Sequence, residues 1–186
     1  MPSWIADDSF LTLAQMQNNA DIIAPYMQER GWSLNAISAM LGNMEAESTI
    51  SPGRYEIGGV GYGLVQWTPP TKLWNWIFST YGNTDYSNGY YQLERILWEV
   101  ENGEQWYSTP TYPLSFSAFT TSANSAEYLA GAWLLNYERP ADQSAAEQAR
   151  RGAMARAWYD YITGATPPVK PEGNVPPWLY FKFRRC

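Results

Sequence analysis

The hydrophobic pattern of this chain changes period abruptly between residues 42 and 68. Before the change, Ile37, Met40, Leu41 and Met44 recur at the three- and four-residue spacing of a helix face, behind Ser33 as an N-cap. After it come Ser51-Pro52-Gly53, then Gly58, Gly59, Gly61 and Gly63 among Tyr55, Ile57, Val60, Tyr62, Leu64, Val65 and Trp67. Proline and glycine at that density end a helix, and the apolar residues between them read as a small, glycine-loosened β-hairpin. The flanks are helical in pattern. Thr12 and Gln15 have the spacing of a capping box opening a helix to Arg30, with a kink or interruption at Pro25 and a stop at Gly31. Further helices are expected at about 71–80, 90–101, 114–120, 125–137 and 143–162, the fourth of these ended by Arg139-Pro140. The expected fold is α+β, predominantly helical, with one small β lobe near its front.

A chain of 186 residues with 45% hydrophobic residues can bury one sizeable core. Residues 1–164 read as that domain. Beyond it, five prolines between Pro167 and Pro177 give residues 165–186 the composition of a semi-rigid linker with a short basic and aromatic tail around Trp178-Leu-Tyr-Phe. The formal charge is −6, and residues 1–169 alone carry −9, so the basic footprint of a nucleic-acid binder is missing. No run is apolar and long enough to span a membrane. Residues 1–15 have no basic n-region and carry Asp7 and Asp8, unlike a signal peptide.

The chain contains no histidine, which removes Ser-His-Asp and Cys-His nucleophiles and the His-bearing zinc sites of many hydrolases. Its single cysteine, Cys186, allows no disulfide framework and no thiolate cluster. No metal and no cofactor are expected, and the proton chemistry of any enzyme here falls to residues such as Asp, Glu or Tyr. Ten tryptophans and 14 tyrosines are many for one domain. Most should fill the core, Trp74, Trp76 and Trp98 among them by their helical spacing. The remainder suit the stacked, hydrogen-bonded recognition of sugar rings.

A carboxylate in the last turn of the second helix would sit at the mouth between the helical body and the β lobe, where clefts form. Helical geometry leaves Glu45 and Glu47 nearly tied, since both lie roughly 70 to 90° from the centre of the apolar stripe. Position next to the ribbon favours Glu47.

Five segments taken together carry a family resemblance: Leu41-Gly-Asn-Met44, Glu47-Ser-Thr-Ile-Ser-Pro-Gly53, Gly61-Tyr-Gly-Leu-Val-Gln-Trp-Thr68, Leu97-Trp-Glu-Val100 and Tyr137-Glu-Arg-Pro140. In that order the chain resembles the phage tail lysozymes, peptidoglycan hydrolases similar to goose-type lysozymes and soluble lytic transglycosylases. The resemblance implies a lysozyme-like fold with a substrate cleft. It also implies cleavage of the β-1,4 bond between N-acetylmuramic acid and N-acetylglucosamine, with Glu47 as general acid. Such an acid must keep its proton near neutral pH, which an apolar setting promotes. Ser48, Gln66 and Tyr137 occupy the superfamily's Glu-Ser, Gly-Leu-x-Gln and late-helix Tyr positions and are expected to bind substrate. Tyr62 and Trp67 in the ribbon are expected to join them, and Tyr137 to bond near Glu47.

An inverting enzyme needs a base about 6.5 to 9.5 Å from the acid, a retaining one a nucleophile nearer 5 Å. Glu56 is the best placed second carboxylate in sequence, with Asp85 and Glu138 behind it; a single-acid transglycosylase leaving anhydro sugars is the other possibility. Glu138 and Arg139 read first as an ion pair locking a helix end. The implied partners are bacterial peptidoglycan and phage tail proteins or a further wall-degrading domain, placing the chain in a virion tail or at the bacterial wall. A catalytically inactive wall-binding or tail module with the same fold is the competing reading.

Overall fold

The structure, a computed structural model, describes residues 2–165 apart from Ile57. Among these, seven α-helices follow one another: α1 Leu13–Gln28, α2 Leu34–Ser48, α3 Thr71–Tyr81, α4 Gly89–Asn102, α5 Phe116–Thr120, α6 Ala126–Trp133 and α7 Ala145–Thr163. A π-helical turn, Leu134–Glu138, continues α6. Local chemistry starts most of them. Thr12 and Gln15 close the reciprocal capping box of α1. Ser33, Asn88, Ser115, Ser125 and Ser144 accept from backbone N–H groups at the starts of α2, α4, α5, α6 and α7. Each such cap contributes about 1 kcal/mol. α1 runs through Pro25 without interruption. Ile22, Ile23 and Met27 are buried around it, so core packing holds the last turn despite the missing N–H bond.

α2 is the central element, and α7 and α6 pack most extensively against it. A Cβ at Gly42 would stand 2.6 Å from the backbone nitrogen of Ala155, so glycine is what lets α2 and α7 approach this closely. Beside them Trp32, Trp106, Phe116, Phe119 and Trp133 form an aromatic cluster, with Trp106 stacked on Phe116 at 4.6 Å between ring centroids. Burying each such ring contributes about 1.5–3 kcal/mol. Trp76 and Trp98 depart from the expected core placement. They are half-buried and line an open hollow of about 430 Å³ between α3 and α4, because only Leu73 and Ile77 of α3 face fully inward.

The helical part of the expected fold is present; among the described residues the hairpin is not formed as a pair of strands. Among them, pairing in the glycine-rich segment consists of isolated antiparallel bridges from Tyr55 to Tyr62 and from Tyr62 to Trp67. Left-handed backbone at Gly58, Gly59, Gly63 and Gln66 turns the chain every few residues, so no ladder can extend. Gln92 of α4 fastens this ribbon, accepting from Leu64 N at 2.8 Å and donating to Pro52 O and Tyr86 O. Among the described residues no helix is long and apolar enough to cross a membrane. The prolines from Pro167 onwards, Trp178-Leu-Tyr-Phe and Cys186 lie outside them.

Candidate active site

α2 ends in an unusual way. Thr49 and Ile50 both take left-handed backbone, at φ 54° and 57°, a conformation that non-glycine residues hold at a cost of about 1–3 kcal/mol each. Long-range bonds impose it: Leu11 N donates to Thr49 Oγ1 at 2.9 Å, and Asn19 Nδ2 donates to Ile50 O at 2.8 Å. The last helical turn is thereby held rigidly against the start of the ribbon. Ser48, in that turn, is fully buried; its Oγ lies 2.8 Å from Leu64 O and 3.1 Å from Met44 O. Its hydroxyl joins helix to ribbon, where the sequence suggested contact with substrate.

The two near-tied glutamates of α2 both turn to α7, with different partners. Trp158 Nε1 donates to Glu45 Oε2 at 2.8 Å. Glu47, its side chain 7% exposed, accepts at 2.6 Å from Nη2 of Arg151, which is itself buried. Arg151 also donates from Nε to Glu147 at 2.7 Å and from Nη1 to Asn43 O at 3.1 Å. Arg150 adds two bonds to Glu147. Glu147 is half-buried, which raises its pKa, but hydrogen bonds from Arg150 and Arg151 outweigh this and hold its carboxyl below the ordinary range. Glu47 therefore sits at a buried charge cluster rather than in the apolar setting that the general-acid reading called for.

A groove of about 220 Å³ is lined by residues that include Gln66, Trp67, Lys72, Tyr137, Glu138 and Arg139; Glu47 is not among its lining residues. Three of its walls match positions singled out in the sequence. Gln66 Nε2 donates to Gly63 O and Arg54 O, while its buried Oε1 has no hydrogen-bond partner in the protein. An acceptor left unpaired beside a groove is suited to a ligand N–H or O–H. Trp67 is only 3% exposed, so it offers an edge to the groove and no broad stacking face. Tyr137 is buried and donates to Glu99 Oε2 at 2.5 Å; its expected partnership near Glu47 is replaced by Glu99.

Glu99 is closed on all sides. Its Oε1 accepts from Trp67 Nε1 and Arg95 Nε, each at 2.9 Å, besides the Tyr137 bond to Oε2. Burial raises its carboxyl pKa against the lowering effect of these donors. Glu138 is the carboxylate that faces the groove. Trp133 Nε1 donates to its Oε1 at 2.8 Å. Burial first, and the negative charge of Glu47 second, push its carboxyl well above the ordinary glutamate range. The expected lock with Arg139 is absent among the described ion pairs. Arg139 takes left-handed backbone and sends Nη1 to Gln105 O at 2.7 Å, with its guanidinium over the Tyr107 ring.

The other expected residues lie apart. Tyr62 is buried, packed on Tyr55 at 4.6 Å and on Trp74 at 5.8 Å between centroids. Glu56 stands on the ribbon beside Gly61, where a Cβ would come within 3.0 Å of its Oε2, and it does not line the groove. Asp85 is occupied in the α3–α4 loop, accepting from Asn88 Nδ2. Arg151 went unnoticed in the sequence and Glu99 was quoted only within Leu97-Trp-Glu-Val100 with no role assigned, although each falls on the inward stripe of its helix: Arg151 with Ala155 and Trp158, Glu99 with Gln92 and Ile96. A charged residue in register with buried ones is a legible signal. Among the described residues no cluster of acidic, histidine or cysteine side chains could hold a metal ion.

With this geometry in view, comparison with known proteins is informative. Residues 18–162 match the family model described as phage tail lysozyme. Morphogenesis protein 1 of Bacillus phage B103 is 43% identical over 162 residues, covering 84% of this chain and 42% of that protein. The chain thus spans less than half the length of the curated relative it matches.

Proposed function

The chain belongs to the phage tail lysozyme family, and on that premise we propose that it is a peptidoglycan glycosidase cleaving the β-1,4 bond between N-acetylmuramic acid and N-acetylglucosamine. Glu47 is the catalytic carboxylate, in the general-acid role that the family likeness implies. The observation that carries this reading is the burial of Glu47 at a strained helix end, in the field of Glu138, which lines a groove whose wall holds an unpaired Gln66 acceptor. Taking a carboxylate and an arginine out of water costs several kcal/mol per ion, so a packed apolar pair would serve stability as well. Buried ionisable groups beside a cleft are the usual sign of chemistry.

In this reading the sugar chain lies along the groove. Gln66 accepts from a sugar N–H or O–H, Trp67 and Tyr137 form apolar wall, and proton transfer to the bridging oxygen breaks the C1–O bond. Attack by water gives a hydrolysed end; attack by the muramyl 6-hydroxyl gives an anhydro end. Residues 1–164 carry this activity, and residues 165–186 are a proline-rich linker with a short basic and aromatic tail. The acidic balance opposes steering toward an anionic wall, so attachment to a virion tail, as the family name suggests, would supply the approach that charge does not.

The test is loss of turbidity of Gram-positive cell walls with wild type and Glu47→Gln, with mass spectrometry of the released disaccharides. Equal clearing by both variants refutes the assignment. An end lighter by one water identifies a transglycosylase. One observation favours a second reading: Glu47 is taken up in a buried ion pair with Arg151, a contact that an inactive wall-binding or tail module of the same fold would also hold. Binding to walls without clearing by wild type would establish it.

A further inference from the structure

We infer that Glu138 is a second catalytic carboxylate, a proton donor to the bridging sugar oxygen alongside Glu47. The inference rests on the glycosidase reading and supplies what that reading lacks, a proton in a site where Glu47 is paired with an arginine.

Three observations place Glu138 in the reaction. It is the carboxylate that lines the groove, alongside Gln66, Trp67 and Tyr137. It is aimed there by backbone: the π-helical turn Leu134–Glu138 departs from the path an α-helix would take, and Arg139 at φ 50° ends the turn immediately afterwards. π-Helical turns inside or beside α-helices are rare and recur at functional sites. Third, its carboxyl is fixed, with Trp133 Nε1 on Oε1 at 2.8 Å and the indole of Trp133 packed 4.3 Å from the Tyr137 ring centroid.

Charge counting then decides where the proton resides. Arg150 and Arg151 face Glu147 and Glu47, two cations against two carboxylates. An ionised Glu138 would add an uncompensated negative charge to this partly buried cluster. The charges that act on it from the packed elements are Glu47 on α2, Glu99 on α4 and Arg151 on α7. Lys72, exposed at the start of α3, and Arg139, committed to backbone carbonyls, line the same groove. The two like-charged neighbours and burial favour the neutral acid at Glu138.

The step balances. The proton held by Glu138 passes to the bridging oxygen as the C1–O bond breaks and the bonding pair stays with that oxygen. The Glu138 carboxylate is then charged as positive charge develops at C1. The hydroxyl that attacks C1, from water or from the sugar's own 6-position, returns its proton to Glu138, which ends as it began.

The test uses the full chain with Glu138→Gln and Glu138→Asp beside wild type and Glu47→Gln. Glutamine keeps an acceptor for Trp133, so the fold should persist. Release of reducing or anhydro ends should fall about 100-fold or more in Glu138→Gln, as expected for a lost proton donor, with KM for soluble glycan fragments little changed and partial recovery in Glu138→Asp. The alkaline limb of the pH–rate profile should shift with it. Separately, 13C NMR of glutamate carboxyls should show one group titrating above the ordinary range, missing in Glu138→Gln and moved downward in Glu47→Gln. Absence of that group, or its indifference to Glu47→Gln, overturns the inference whether or not the protein cleaves walls. An active wild type, an inactive Glu47→Gln and a fully active Glu138→Gln overturn it while leaving the glycosidase reading intact. Wild type inactive on glycan overturns the reading itself.

Discussion

Two buried carboxylate centres lie close together in this molecule and are built on opposite principles. At Glu99 both oxygens are engaged: an indole, a guanidinium and a phenol converge on a side chain 1% exposed. At Glu138 one indole donor holds one oxygen, and the carboxyl faces a groove. Burial raises both pKa values, so the direction of the shift does not separate them. What separates them is whether any acceptor capacity is left for a visitor. Glu99 ties α4 to the ribbon through Trp67 and to the π-helical turn through Tyr137, and so shapes the groove from behind. The Glu47, Glu138 and Arg151 cluster spans α2, α7 and the turn after α6, where small displacements change proton affinity.

That contrast can be broken by substitution. The largest effect is expected at Glu47→Gln, which should lower glycan cleavage by about 100-fold or more, read as released reducing or anhydro ends, with the protein still folded by circular dichroism. A rate near that of wild type would remove the functional side of the comparison. Arg151→Met should come next, on stability: it leaves Glu47 and Glu147 buried without their shared cation, at a cost of about 3–5 kcal/mol in urea unfolding. Glu99→Gln should cost about 1–3 kcal/mol through mismatched donors while retaining most of the cleavage activity. If it abolished activity with stability unchanged, Glu99 would have to be moved to the catalytic side.

The smallest effect is a slope. Glu99 and Glu138 have raised folded-state pKa values, so the native protein keeps protons that the unfolded chain releases above about pH 4. Their stabilising contribution is complete below that pH and declines as pH climbs through the raised values, by at most about 1.4 kcal/mol per pH unit for each proton. Unfolding free energy measured between about pH 5 and about pH 8 should fall with pH in wild type, and less steeply in Glu138→Gln. An identical slope in the two would show that Glu138 holds no proton there.

Much of the scaffold was legible in the chain itself. The capping box of Thr12 and Gln15, the Ser33 cap and the apolar stripe of α2 are short-range features, and the helices they announce are present with ends shifted by a few residues. The glycine ribbon was located correctly but was expected to pair further than it does, because positive φ at four positions is a backbone choice that residue types permit without demanding. At the site, Glu47 was reachable from its place at the helix end. Its partner was not: Arg151 lies 104 residues away, and only the close approach of α2 and α7 at Gly42 brings them together. Ser48 and Tyr137 were singled out, yet their hydroxyls are committed to Leu64 O and Glu99, bonds that no spacing along the chain announces.

The chain alone determined which segments coil, where they stop, and that any chemistry must be done without histidine or a thiolate pair, since these depend on residue identity and on neighbours within a turn or two. Tertiary structure decided which carboxylates are sealed, which meet a cation and which face the groove. Those outcomes follow from Coulomb interactions and lost hydration among groups far apart in sequence, and they take effect only once the helices have packed.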